Sequence, residues 1–262
     1  TLVAWAWSNN NPPKIQAAFR PVAGPWRKAV DLTPAANATN PRVAFAPTAK
    51  AWVAFNRTPL DGPTAVKARC RLLDGSWTPT ARVGSGRLGG LGVDRYSEVT
   101  VAFRSSGTIK TALWSPVAGW QAPTLATPVG ASVQEWAFAS NRRGAALVVY
   151  HRPNGRIDAA RRTNQGVWIA PVTLADPGSN LLPTAAMNAS GDLFAAWGMY
   201  GVWGAYRPSG GDWHPATAAL PDTGGVDVLE TTASQVAPNG DAVLLWDQEA
   251  RALKVRVLVP GE

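Results

Sequence analysis

Cysteine, histidine, methionine and glutamate are all scarce in this 262-residue chain, and each shortage excludes some chemistry. A single cysteine, Cys70, rules out a disulfide framework and leaves the redox compartment open. It falls within a strand-like stretch, Val66 to Arg71, and reads as a buried structural thiol rather than a reactive one. Two histidines, His151 and His214, far apart and with one cysteine, do not make a zinc site. No metal or cofactor is expected. Helical periodicity is nearly missing, so no glycine-rich loop opens a helix to cradle phosphate. No apolar run reaches the roughly 18 residues of a membrane span. The chain opens at Thr1 in mid-strand, so any export signal is expected to have been removed already.

What is plentiful is glycine (25), proline (22) and tryptophan (13), with 46% hydrophobic residues. Many turns and a large core follow. The net charge is +8, mostly from arginine. Basic residues are dispersed without a Lys/Arg run, so the charge reads mainly as solubility rather than a dedicated polyanion site. No specific nucleic-acid partner is expected.

The glycines and tryptophans are periodic. A turn ending in Gly-x-Trp or Gly-Trp recurs at Trp26, Trp77, Trp120, Trp168 and Trp213. Before each lies one strand pattern: KIQAAFR, VKARCR, IKTALW, IDAARR and VWGAYR, with LKVRVL as a sixth copy. Its first column is Ile15, Val66, Ile109, Ile157, Val202 and Leu253. A later column holds Arg20, Arg71, Trp114, Arg162, Arg207 and Leu258. A preceding strand ends in Trp5, Phe55, Phe103, Tyr150, Trp197 and Trp246, spaced 47 to 50 residues apart. An earlier strand precedes it across turns such as SerGlyAsp (190–192) and AsnGlyAsp (239–241). A fourth strand follows each Gly-x-Trp and usually carries proline, which places it at a sheet edge.

The unit is thus four short antiparallel strands, A (PTAAM), B (LFAAW), C (VWGAYR) and D (WHPATAAL) in its fullest copy. Such units at this length predict an all-β, six-bladed β-propeller of four-stranded blades. We read 1–262 as one propeller domain, with repeat units at about 1–26 (partial), 27–77, 78–120, 121–168, 169–213 and 214–262. The chain opens in a B strand and ends in a C strand, so ring closure is incomplete within it. Flanking residues, imperfect closure or a seventh blade all remain open.

The C strand, Gly-x-Trp turn and D strand, as in TNQGVW (163–168) and PSGGDW (208–213), resemble the Asp-box of sialidase-like propellers. The aspartate is missing or displaced. The resemblance implies a propeller with its B–C and D–A loops on one face, around a channel mouth. Sialidase catalysis also implies an arginine triad, a tyrosine–glutamate pair and an aspartic acid. The five glutamates do not assemble such a pair, and Phe19-Arg20-Pro21 is explained by the repeat.

The loop face is where a site is expected, since rigid scaffolds carry function on loops. The ligand-binding candidates from the B–C loops are Trp7, Arg57, Arg104, His151, Arg152, Tyr200 and Asp247. Eight tryptophans belong to the turn and B-strand columns and read as core. Trp7, Trp52, Trp114, Trp136 and Trp203 are left over, and Trp7 stands nearest a loop. His151 beside Arg152 offers a general acid or base, with an ordinary loop histidine as the competing reading. Asn37, Asn56 and Asn188 begin glycosylation-type triplets. Three functions fit, in this order: a non-catalytic module binding a glycan or protein partner, a sialidase-like glycoside hydrolase or lyase, and an assembly domain of a larger surface protein. An extracellular or cell-surface location is expected.

Overall fold

The computed structural model describes residues 1–9, 11–34, 37–176, 182–198, 202–220, 228–248 and 252–258, with only the backbone at 219–220, 228–232, 246–248 and 252–258. Contacts divide the chain into two compact units, Thr1–Thr124 and Leu125–Glu262.

The first unit holds three antiparallel sheets. The first sheet is β1 (Leu2–Trp7), β2 (Lys14–Phe19) and β3 (Val30–Asp31). The second is β4 (Ala38–Phe45), β5 (Ala51–Arg57), β6 (Ala65–Arg71) and β7 (Ala81–Ser85). The third runs β8 (Arg87–Val93), β9 (Val99–Ser105), β10 (Thr108–Ser115) and β11 (Gly119–Trp120), with β12 (Thr124–Leu125) also pairing β10. The second unit holds the fourth sheet, β13 (Trp136–Ser140), β14 (Ala146–His151), β15 (Ile157–Arg162) and β16 (Val172–Ala175). The fifth is β17 (Thr184–Met187), β18 (Leu193–Gly198), β19 (Val202–Arg207) and β20 (Thr217–Leu220), and the sixth β21 (Val228–Val236), β22 (Ala242–Gln248) and β23 (Ala252–Leu258).

Each sheet is a meander whose strands follow chain order, so the A-B-C-D phase appears directly. Among the described residues the first sheet has no A strand and the sixth no D strand. The D strands stand at sheet edges, where proline's missing donor costs no ladder bond. A bulge recurs early in strand C, at Val66/Lys67, Ile157/Asp158 and Val202/Trp203, where D pairs with it. One extra residue there increases the local twist.

Apolar residues on both faces bury the B strands. All six residues of β14 and all six of β18 are buried. The first C-strand column, Ile15, Val66, Ile109, Ile157 and Val202, is fully buried. So are the B-strand aromatics Phe55, Phe103, Tyr150 and Trp197, each stabilising by about 2–3 kcal/mol through burial alone. Small residues let neighbouring sheets approach. A Cβ on Gly84 would lie 2.3 Å from the Phe103 ring of the next sheet.

Two turns repeat as exactingly as the strands. At the C–D turn, Arg27 N–H donates to Phe19 O, Thr78 to Cys70, Gln121 to Leu113, Ile169 to Arg161 and His214 to Tyr206, closing the same hairpin in five copies. Trp120 meets Trp52 of the preceding sheet edge-on at 5.9 Å, and Trp114 packs on Trp52 at 4.7 Å. Trp77 and Trp213 join clusters spanning two sheets. Trp26 departs from the expected core role and is 46% exposed, because no earlier sheet of its unit lies beneath it. Cys70 is buried as expected, and burial pushes its thiol up to about 11.

The A–B turn begins with Asn141, Asn188 or the corresponding Asp94. The side-chain oxygen caps the turn, accepting from Arg143 and Ala145, from Gly191 and Asp192, and from Tyr96 and Glu98. Asparagine adds a donor that aspartate lacks. Asn141 Nδ2 donates to Asn188 O at 3.2 Å, and Asn188 Nδ2 to Ala237 O at 2.9 Å. Each lock therefore reaches the same turn one repeat further on. Asn188 and Asn56, whose Nδ2 donates to Gly86 O, are both buried, so neither presents its amide for glycosylation in the folded chain.

Candidate functional site at the loop end

In the first unit the B–C loops of two neighbouring sheets form a cleft of about 410 Å³. Pro12 comes from the loop between β1 and β2, Asn37 from the entry to β4, and Arg57, Thr58, Leu60 and Asp61 from the loop after β5. Backbone bonds fix these pieces against one another. Ala38 N–H donates to Pro13 O at 2.8 Å, and Thr58 N–H to Asn37 O at 3.1 Å. The hydroxyls of Thr58 and Thr64 lie 3.0 Å apart and close the second loop on itself. The walls combine a guanidinium donor, carboxamide and carboxylate acceptors, and the apolar faces of Pro12 and Leu60. Leu60 is 91% exposed.

Trp7 ends β1 next to the loop, paired across the ladder with Lys14. Its ring is 39% exposed, and the Lys14 ammonium sits 4.7 Å from the centroid. That ammonium is held by Asp31 at 2.7 Å, and Gln16 also donates to Asp31 at 2.8 Å. These bonds keep the Asp31 carboxyl below its ordinary range. The result is a flat aromatic surface fixed from behind by a cation, on the strand that leads into the Pro12 loop.

The other candidates fall differently. Arg57 ends β5 and is exposed. Arg104 is half-buried in β9, opposite Ile109 and Arg87. His151 is 3% exposed at the end of β14, its backbone exchanging hydrogen bonds with Glu135 O and Gln134 N–H. Its ring Nε2 is buried without a hydrogen-bond partner among the described residues. Burial holds its pKa below the ordinary value, against an opposing pull from Glu135. Arg152 turns inward: Nε lies 2.6 Å from Asp158 Oδ2, and Nη2 donates to the Tyr150 hydroxyl at 3.4 Å. Arg156 at 3.3 Å and the Thr173 hydroxyl at 3.0 Å complete the shell around Asp158, which is 1% exposed. Tyr200 and the side chain of Asp247 lie outside the described residues, as do Glu249 and Arg251.

Sequence reasoning missed Asp158, Asn37 and Pro12. Asp158 was accessible in principle, because it sits opposite Tyr150 across the β14–β15 hairpin. Asn37 and Pro12 carry no local signal, since only the meeting of two loops gives them a role. Among the described residues no three of His, Cys, Asp or Glu gather in a metal-holding group, and no helix is long and apolar enough to cross a membrane.

No family model matches the chain, and no curated protein matches it in sequence. Solved structures match it in fold. The β-propeller domain of the Trilobed protease from Pyrococcus furiosus, an open-velcro propeller, aligns over all of this chain and 78% of its own, with a TM-score of 0.60 and 10% identity. The fold is β-propeller-like. A fucose-specific lectin from Aleuria aurantia, a six-bladed propeller, aligns over all of this chain and 92% of its own (TM-score 0.51, 13% identity). NanB sialidase from Streptococcus pneumoniae aligns over 94% of this chain and 62% of its own (TM-score 0.53, 8% identity). At these identities the likeness concerns the propeller-like fold alone.

Proposed function

We propose that this chain is a six-bladed, non-catalytic propeller that binds a glycan at its loop end. The observation that carries the reading is the first-unit cleft. The cleft is lined by Arg57, Asp61, Asn37 and Thr58 around a sugar-sized volume, and Trp7 ends the strand that leads into the Pro12 loop. A sugar ring needs that mixture, with donors and acceptors for its hydroxyls and an apolar plane for its C–H face. Lectin propellers of the same fold support the reading. On this view residues 1–262 form one domain of six blades, and it works outside the cell or on its surface. The degenerate C–D turns retain the structural part of an Asp-box without its aspartate.

Hydrolysis is the weaker reading. It needs two carboxylates about 5–10 Å apart facing one pocket. Asp61 is the one carboxylate lining the loop-end cleft among the described residues, and Asp158 is enclosed by two arginines.

A glycan array followed by titration calorimetry tests the proposal. Trp7→Ala and Arg57→Ala are each expected to weaken retained glycans about tenfold or more, the loss typical of an anchor residue. Unchanged affinity in both variants, or turnover of a retained glycan, would overturn it.

A further inference from the structure

At the opposite end of the second unit, the A–B and C–D turns of the fourth and fifth sheets enclose a second cleft, of about 390 Å³. Arg143, Arg161, Arg162 and Arg207 line it, and no carboxylate does. Its walls are held in place before any ligand arrives. Arg162, buried, donates through Nη2 to Gly144 O at 2.6 Å and so fixes one A–B turn. Asn141 Nδ2 ties that turn to the next at Asn188 O. On the far wall Ser209 Oγ donates to Ser190 O at 2.8 Å, and Ser209 N–H to Asp192 Oδ1 at 2.8 Å. Two acids lie outside the lining: Asp192, which accepts from Ser209 N–H and from Asn188 Nδ2 at 2.6 Å, and Asp212, which is exposed.

Like charges crowd here. The Arg207 guanidinium is held below its ordinary range, first by burial and then by Arg161, with Asp212 opposing. Guanidinium groups converging in a preformed cleft suit an oxyanion, because each fork donates two parallel bonds to a sulfate, phosphate or carboxylate. The cleft is larger than such a group alone. Ser190, Ser209 and Asn164 offer polar atoms, and Leu193 an apolar face, to whatever carries the anion.

We propose that this turn-end cleft binds an anionic saccharide, with Arg161 and Arg207 on its oxyanion and the serine and asparagine groups on its hydroxyls. The proposal does not depend on the loop-end reading. The shared chemistry is the oxyanion, and its source can be a sulfate ester, a phosphate ester or a uronic acid.

Calorimetry with glucose 6-sulfate, glucose 6-phosphate, glucuronate, glucose and inorganic sulfate separates these sources. At least one charged sugar is expected to bind at low salt, with glucose silent and inorganic sulfate weaker. Binding should fall steeply toward about 1 M sodium chloride, where the Debye length is about 3 Å. Arg161→Gln and Arg207→Gln should each cost about tenfold or more in affinity, as for a charged hydrogen bond. Amide shift mapping on the wild-type chain gives a readout that needs no variant: Asn164 and Ser209 should move, and Thr58 and Asp61 should not. No binding by any charged sugar at low salt, equal binding of glucose or of inorganic sulfate, unchanged affinity in both arginine variants, or shifts confined to Thr58–Asp61 would each overturn the proposal.

Discussion

Two arginine groups occupy opposite ends of the fourth sheet, and they are built on opposite terms. At the loop end Arg152 and Arg156 converge on Asp158, with Thr173 and Tyr150 completing the shell. At the turn end Arg143, Arg161, Arg162 and Arg207 line a cleft with no carboxylate in its lining. Arg162 donates to the neutral Gly144 carbonyl through both Nε and Nη2. The residue type is the same in both places, so arginine content alone does not locate a site. What separates a structural cluster from a receptive one is whether a buried carboxylate has already answered the charge.

The strongest way to break this contrast is to remove Asp158. Asp158→Asn leaves Arg152 and Arg156 against a buried neutral group. Breaking a buried ion pair from one side costs roughly 3–5 kcal/mol. Urea denaturation should show that loss with an unchanged m-value. Combining Asp158→Leu with Arg152→Met should recover part of it, because the apolar replacement removes the more buried pair and leaves only the half-exposed Arg156 without its carboxylate. A loss below about 1 kcal/mol for Asp158→Asn would mean that the loop-end arginines are solvated and the two ends are alike.

Asn188 sharpens the turn-end half. Its carboxamide caps the turn with two accepted bonds and donates to Asp192 and Ala237. Asn188→Ala should cost about 2–3 kcal/mol, since buried turn N–H groups lose their acceptor. Hydrogen exchange should quicken at Gly191 and Asp192 and stay unchanged at Arg152 and Gly155. Asn188→Asp keeps the cap that Asp94 makes in the third sheet but loses the donor to Ala237 and Asp192 and sets two carboxylates against each other, so its loss should be largest near neutral pH and shrink toward acid.

The fold was largely legible in the sequence because a repeat displays each physical requirement several times. The column Ile15, Val66, Ile109, Ile157 and Val202 announces a buried strand face, and all five are fully buried. Proline after the Gly-x-Trp turns announces the edge strand, and the D strands stand at sheet edges. Asn141 and Asn188 share their turn position with Ala46, Asp94 and Ala237, so the residue type does not repeat, and the triplet at Asn188 reads as a glycosylation pattern because a sequence does not say whether an amide is already engaged. The clefts were less legible for a different reason. Arg161 and Arg207 come from separate repeats, and Pro12 and Asn37 from separate loops, so their meeting is set by sheet-to-sheet packing that no local pattern encodes. The dispersed basic residues were for that reason read as general solubility. His151 ends β14 and Arg152 follows it, and the direction of their side chains depends on Asp158 and on burial.

His151 provides a pH test of the loop end. Burial holds its folded-state pKa below the ordinary 6.5, so the unfolded chain takes up the proton more readily. Its contribution to stability is complete above that ordinary value and is lost as pH falls from there through the folded-state pKa. Glu135 is the charged neighbour that limits the shift. Urea midpoints between about pH 5 and pH 7.5 should fall toward acid in the wild type, and the fall should be shallower in His151→Leu. Parallel curves would mean that the ring is protonated freely and that the loop end is open to water.

The smallest effect on stability belongs to the turn-end arginines, and its sign is the informative part. Arg161 and Arg207 repel each other in the folded chain, and the unfolded chain separates them. Arg161→Gln or Arg207→Gln should therefore leave stability unchanged or raise it by no more than about 0.5 kcal/mol, the usual range for a surface substitution. Any gain should vanish in high salt, where the repulsion is screened. Asp158→Asn at the other end moves stability the opposite way and by several times more. Calorimetric melting of the two arginine variants at low and high ionic strength measures this directly. A loss above about 1 kcal/mol in either variant would show that its guanidinium holds a structural partner, as Arg152 does. The turn end would then be a second closed cluster instead of a cleft waiting for an anion.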